Sequence, residues 1–316
     1  MTHRVGIIGL GTVGSRFVEQ FGLHPDFDLV AAWDPDGSAC AEHADRVTIA
    51  DDAQAVIDAA DLVYIAVPPL FHAGYVRACI AGDTAIFCEK PLGIDVAESR
   101  ALVAEVEASG CAAAVNFVFG SAPSARQMQD LIDGGAAGDV VRADLRLHFA
   151  EWPRAWHAKA QWLRLRDQGG WVREVASHFL FLAARILGPL SLQGGDVEYE
   201  DGPDGELSET WAAARWDAAG GALTLAGTST GGGVDVVDLT VRGTTGAVRI
   251  WDWYRLQRDQ GSGWTDVFDH DRAALGSAAY TAQLDQLALM MDGAEHSLAT
   301  FAESLAVQEL VEELLG

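Results

Sequence analysis

Only two lysines, Lys90 and Lys159, stand in a chain of 316 residues whose formal net charge is -25. Lys90 follows Glu89 at the end of the apolar run Ala85-Ile86-Phe87-Cys88. A lysine at the carboxyl end of a buried strand, beside a carboxylate and partly out of water, can orient a hydroxyl or carbonyl oxygen and share in its proton transfer. A second candidate is the pair Glu174 and His178. Their spacing puts both side chains on one helix face, where an imidazole titrating near neutrality beside a carboxylate can relay protons. Taken alone, a histidine in an apolar helix is more often a satisfied core residue. The third is a glycine pattern, Gly9-Leu10-Gly11-Thr12-Val13-Gly14, between a strand-like and a helix-like segment.

That context gives the glycines a physical task. Gly9 permits a tight turn, Gly11 puts no Cβ between backbone and ligand, and Gly14 lets the helix close onto the strand. A pyrophosphate would then meet free N–H groups and the positive end of a helix dipole. Thr12 and Val13 supply the first N–H groups. Asp34 lies twenty residues past Gly14, at the end of the second strand, where a carboxylate accepts from a ribose 2′-hydroxyl. The same charge repels a 2′-phosphate, and Pro35-Asp36-Gly37-Ser38 brings no cation, so NAD is expected over NADP.

The elements behind these residues alternate. Apolar runs at 5–8, 29–33, 47–49, 62–67, 85–88 and 111–115 interleave with helical patterns, which predicts about six parallel strands of a doubly wound Rossmann sheet over residues 1–120. Ligands collect at the carboxyl ends of such strands, where Val67, Pro68, His72, Glu89 and Lys90 fall. His72 reads equally well as lining the cofactor site or capping the next helix. Beyond residue 120 a helix is expected over 123–133, and residues 139–149 alternate with period two. Similar runs at 210–216, 222–228, 234–241 and 248–253, with turns at Gly220-Gly221 and Thr244-Thr245-Gly246, predict an α+β domain over 121–316 with a mostly antiparallel open sheet. Residues 194–209 read as an acidic, glycine-rich surface loop, and 278–291 and 301–315 as closing helices.

Composition narrows the function. The acidic charge opposes nucleic acid, which needs clustered cations. No apolar stretch is long enough to span a bilayer, and Met1-Thr2-His3-Arg4 runs directly into a strand, so a cytoplasmic location and no membrane are expected. Four isolated cysteines without a C-x-x-C pair suit reduced thiols. His148, Glu151 and His157 fit no compact metal site, and no metal is expected. They border a tryptophan-dense segment, 149–162, whose flat rings and cations (Arg154, Lys159) suit sugar rings, aromatic rings or carboxylates, or an ordinary contact between surfaces.

The segments Ile65-Ala66-Val67-Pro68-Pro69-Leu70-Phe71-His72 and Cys88-Glu89-Lys90-Pro91-Leu92-Gly93, with the glycine pattern, resemble the glucose-fructose oxidoreductase / inositol dehydrogenase (Gfo/Idh/MocA) family. The resemblance implies a nicotinamide-dependent oxidoreductase with Lys90 beside the nicotinamide and a cis peptide before Pro91. It also implies homodimers or homotetramers built through the outer face of the second sheet. Its second catalytic element, a glycine pair followed by an acid and a histidine, matches Gly169-Gly170 with Glu174 and His178. Two departures stand out: Glu174 replaces the usual aspartate, and Asn116-Phe117-Val118-Phe119-Gly120 lacks an arginine often found there. The function expected is hydride transfer between NAD and a carbinol or carbonyl carbon of a sugar, polyol or related small molecule. A noncatalytic NAD-binding sensor and a reductase of an imine or enone are the alternatives.

Overall fold

The structure, a computed structural model, describes residues 2–157, 160–202 and 205–316. Lys159 lies outside the described residues. The chain forms two units, one of residues 1–117 with 281–308 and the other of residues 118–280 with 309–316. The expected boundary at 120 thus falls at 117/118, and the chain returns to the first unit near its end.

The first unit is built on β1 (His3–Ile8), β2 (Phe27–Trp33), β3 (Leu62–Ile65), β4 (Ala85–Cys88) and β5 (Ala113–Val115), all parallel, in the order β2-β1-β3-β4-β5. Every residue of β3 and β4 is buried, as continuous apolar runs covered on both faces require. Helices α1 (Thr12–Leu23), α2 (Gly37–Ala41), α3 (Ala53–Ala59), α4 (His72–Ala81) and α5 (Val96–Ser109) connect them. A sixth strand expected at 47–49 is reduced to one bridge between Ala32 and Ile49, held by Ala32 N–H on the Thr48 carbonyl and Ala50 N–H on the Ala32 carbonyl. With that bridge the order reverses direction between β1 and β3, which is where doubly wound sheets open a crevice.

The second unit holds α6 (Pro123–Asp133) and α7 (Ser177–Leu187) against an eight-stranded sheet. Its strands are β6 (Val140–His148), β7 (Ser191–Gly202), β8 (Gly205–Ala218), β9 (Gly221–Thr228), β10 (Val236–Gly243), β11 (Ala247–Trp251), β12 (Arg255–Asp259) and β13 (Thr265–Asp266). They run β13-β12-β11-β10-β6-β9-β8-β7, and only β6 and β9 pair parallel. On β6 the alternation expected from period two is present: Ala143, Leu145 and Leu147 are buried, while Arg142 and Arg146 stay exposed. On β10 it is not, since Asp238 and Thr240 are buried along with Val237, Leu239 and Val241, held by bonds from Thr240 and Arg249 to Asp238. The surface loop expected over 194–209 is instead the edge strand β7 and the start of β8. Three register shifts along β7 break the period, and Asp196, Glu198 and Glu200 charge an edge that would otherwise invite pairing; both features imitate a loop in sequence. Helix α8 (Arg272–Met291) begins in the second unit and ends in the first, and α9 (Phe301–Leu315) does the reverse.

Candidate functional site

The glycine turn has the geometry its spacing requires. Gly9 sits at φ +101°, and a Cβ there would come within 2.6 Å of the Ala66 carbonyl. A Cβ on Gly14 would overlap the Gly9 carbonyl oxygen, so this glycine is what lets α1 start against β1. Gly11 differs: nothing lies within 4 Å of where its Cβ would be, and it opens α1 with no side-chain cap and no acid in the first turn. Thr12 and Val13 therefore begin a helix whose N–H groups have no protein anion in front of them, the setting an anionic ligand needs.

Asp34 is fixed by two backbone amides, Leu10 N–H at 2.6 Å on one oxygen and Asp36 N–H at 2.8 Å on the other. It ties the glycine turn to the end of β2. An apolar groove of about 350 Å³ runs over Ala53, Gln54, Ile57, Leu70, Phe71 and Tyr75. Tyr75 feels the Asp34 charge as well as its own burial, which together push its phenol above the ordinary value. A flat heterocycle fits such a groove, and the Asp34 carboxylate suits a ribose. The residues present fit a nicotinamide dinucleotide.

Val67 and Pro68 leave β3 as expected, one buried and one half-buried. His72 is placed differently from either expectation alone. It opens α4, yet it has no exposed surface, and its Nε2 lies 2.8 Å from the Val67 carbonyl. Burial holds its pKa down to about 4, so the ring is neutral at physiological pH. It braces the loop that follows β3 through the Val67 carbonyl. Glu89 is likewise turned inward. Its carboxylate accepts from the Tyr64 hydroxyl and the Asn116 amide, and Gln283 donates to Asn116 in turn. Lys90 N–H also lies 3.2 Å from the second Glu89 oxygen. This network fixes the end of β4, and with it the backbone of Lys90, whose peptide to Pro91 is cis as the resemblance implied. Lys90 itself is 8% exposed, a desolvated ammonium at a strand end. Tyr64, Asn116 and Gln283 carried no motif in the sequence; the segment of Asn116 was searched only for the arginine it lacks.

In the second unit, the acid and histidine sit where a π-helical turn, Val172–Ala176, passes into α7. A plain α-helix was expected. Such turns widen a helix locally and are frequent at functional sites. The glycine pair before it has a packing cause. Gly170, at φ +99°, leaves the space taken by the Glu209 carboxylate, and a Cβ on Gly169 would stand 2.5 Å from the Leu163 carbonyl. Glu209 accepts from Val172 N–H at 2.6 Å, and its backbone carbonyl accepts from the Trp171 indole at 3.0 Å. Arg173 pins the other side, with two bonds of 2.7 Å to Glu312 and two more to the carbonyls of Arg166 and Gly169. Burial raises the Glu209 carboxyl to about 7, despite the Val172 amide and Arg173. Glu209 escaped the sequence because it was read inside a loop.

Held this way, Glu174 is half-exposed and His178 8% exposed, its ring edge-on to Phe119 at 6.2 Å and to Trp253 at 5.8 Å. The tryptophan-dense segment gathers around Arg154 beside Trp253. Among the described residues no group of three or more His, Cys, Asp or Glu could hold a metal ion.

Turn, uncapped helix start and oriented carboxylate together have the geometry that a nicotinamide dinucleotide needs. Residues 3–117 match the model of the oxidoreductase family with NAD-binding Rossmann fold, GFO_IDH_MocA, and the chain is similar to that family over this part of its length. Inositol 2-dehydrogenase 3 of Saccharopolyspora erythraea is 30% identical over 165 residues, 50% of this chain and 48% of that protein. The chain thus spans about half the length of the curated relatives it matches. Over the whole chain the fold agrees with a dehydrogenase (MviM) of Clostridium difficile, at TM-score 0.83 and 13% identity, covering 100% of this chain and 99% of that one. It agrees also with GenD2 of gentamicin A biosynthesis, solved with NAD, at TM-score 0.81 and 20% identity, covering 98% and 92%. Among the described residues no helix is long and apolar enough to cross a membrane.

Proposed function

We propose that the protein is an NAD(H)-dependent dehydrogenase or reductase acting on a carbinol or carbonyl carbon of a polyol, sugar or related small molecule in the reducing cytoplasm. The observation that carries this reading is the unobstructed start of α1 at Gly11 beside a carboxylate, Asp34, already oriented by two amides. The dinucleotide supplies a hydride acceptor or donor. In the oxidation direction the protein's share is the proton: the C–H electron pair leaves with hydride while the O–H proton passes to His178. Lys90 orients and polarises the oxygen, and Glu174 sets the imidazole or holds a second hydroxyl. Inositol 2-dehydrogenases among the relatives favour a polyol class.

The test is NAD reduction against polyols, sugars and amino sugars, with ligand-dependent melting as a parallel readout. A positioned proton-transfer group contributes a factor of about 10² to 10⁴, so Lys90→Ala and His178→Ala are each expected to lower turnover at least about a hundredfold. NAD affinity should stay near wild type in the histidine variant. A substrate turned over equally well by both variants overturns the assignment, and dinucleotide binding without any turnover would favour a sensor. A homodimer or homotetramer through the second sheet is also proposed. Its outer face carries a bonded polar ladder, Asp238 to Arg249 to Gln257 to Asp266, and light scattering gives the mass.

A further inference from the structure

Arg154 is held in an unusual way. Its guanidinium lies 4.8 Å from the centre of the Trp156 ring, 5.2 Å from Phe149, 5.6 Å from Trp152 and 5.8 Å from Trp253. Four rings crowd one half-buried cation, and the burial pulls its pKa below the ordinary arginine value. Rings do not accept its in-plane N–H groups, of which a guanidinium has five. The Arg154 side chain donates to no described residue, and its Nε is buried without a partner. Other arginines of this unit that are buried or half-buried are bonded: Arg173 makes four hydrogen bonds, and Arg249 bonds to Asp238 and Gln257. The charges acting on Arg154 from neighbouring elements are Glu174, Asp235 and Arg272, all felt through space. An arginine left unbonded in such a box is oriented for a planar anion that arrives from outside.

The space for that anion exists. Arg154 borders a cavity of about 480 Å³, whose wall also presents Trp152, Gln161 and the hydroxyls of Ser208, Thr210, Ser229 and Thr230. Hydroxyl and amide groups around a cation and a flat ring suit a hydroxylated acid better than an apolar one. Glu151, Glu200 and Arg164 line the same cavity but stand exposed, where water screens them. The position relative to the proposed chemistry is also informative. The His178 ring and the Arg154 guanidinium each lie 5.8 Å from the Trp253 ring, so no more than about 12 Å separates them.

We propose that Arg154 clamps a substrate carboxylate and that the natural substrate is a hydroxylated or sugar acid, of the aldonate or uronate type. This rests on the dehydrogenase reading above but is tested without turnover. Quenching of tryptophan fluorescence, with Trp152, Trp156 and Trp253 as reporters, is followed on the full chain with D-gluconate and D-glucuronate, and with D-glucose and myo-inositol as uncharged counterparts. The acids are expected to bind at least about tenfold more tightly than the neutral compounds, a difference of about 1.4 kcal/mol. Arg154→Gln should remove that difference, while Arg154→Lys, which keeps the charge without the planar fork, should keep part of it. Thermal melts confirm that both variants fold, and the lysine variant still decides if the glutamine variant does not. No measurable binding of either acid, equal binding of neutral compounds, or unchanged acid binding in both variants overturns the proposal. Acid binding without NAD reduction by any acid would leave the clamp standing and remove the dehydrogenase reading.

Discussion

The two units build their sites from different materials. In the first, the proposed ligand-facing surface is mostly main chain: a turn made possible by Gly9, a helix start without a side-chain cap at Gly11, and a single carboxylate held by amides. In the second, the surface is made of side chains from distant segments. Glu209 of β8 supports the turn carrying Glu174, Glu312 of α9 locks Arg173, and Trp253 stands between His178 and Arg154. A main-chain site tolerates only residues that leave the backbone free and therefore recurs as a fixed short motif. A side-chain site can be rebuilt from many combinations, which lets substrate change while the cofactor stays.

That contrast is broken or sharpened most strongly at two glycines, Gly11 and Gly14, two and five residues from the turn's start. Gly14→Ala places a methyl against the Gly9 carbonyl oxygen, a backbone atom with nowhere to retreat, and should destabilise by about 3 kcal/mol or more with loss of NAD binding. Gly11→Ala meets open space and an extended backbone, so the loss of stability should be no more than about 1 kcal/mol. Its NAD affinity should nevertheless fall at least about tenfold, since the methyl occupies the ligand's place. Thermal melts paired with NAD titration separate the two. Equal melts for both variants would show that the glycines are not divided between folding and binding.

Legibility followed the same division. β4 and α6 were readable to the residue, because a continuous apolar run and a helix ending at Gly134-Gly135 are local signals. The glycine turn was readable for the same reason, since its geometry is local. For His72 and Glu89, burial and hydrogen bonds turn the side chains inward, which no local pattern records. The strand β7 was hidden by its own register shifts. Glu209 was hidden with it, since its function depends on Gly170 lying against it from a segment almost forty residues earlier. The return of residues 281–308 to the first unit was invisible too: α8 and α9 show only that they have apolar faces, not which unit covers them.

Glu209 gives the second test, on the side-chain half of the comparison. Its carboxyl is held near pH 7 in the fold against about 4.5 ordinarily, so the folded state prefers the protonated form. The fold is therefore least burdened below pH 4.5 and loses stability as pH rises towards 7, by about 3 kcal/mol in all, then changes no further on this account. Glu209→Gln mimics the protonated acid and keeps an acceptor for Val172 N–H. Above pH 7 it should be more stable than wild type by up to that amount, and urea melts between pH 5 and 8 should show a flatter slope. Arg173 and Glu312 face the same group and are unchanged in the variant. Parallel slopes for the two proteins would place the titrating group elsewhere.

The smallest expected effect concerns Asp34 and which dinucleotide is taken. NAD should bind at least about tenfold more tightly than NADP, about 1.4 kcal/mol, because a 2′-phosphate would meet a carboxylate that two amides keep from turning away. The same amides give Asp34 a second task, since Leu10 N–H belongs to the glycine turn. Asp34→Ala should therefore do two things at once: weaken NAD, through a lost ribose acceptor and a loosened turn, and narrow the gap to NADP by removing the repulsion. Calorimetric titration of both dinucleotides against both proteins reads the two effects separately. If NAD weakens while the ratio to NADP stays fixed, the carboxylate serves the turn alone and discrimination lies in other residues. If wild type binds the two equally, the charge at Asp34 does not reach the 2′-position, and the main-chain site selects only for a pyrophosphate.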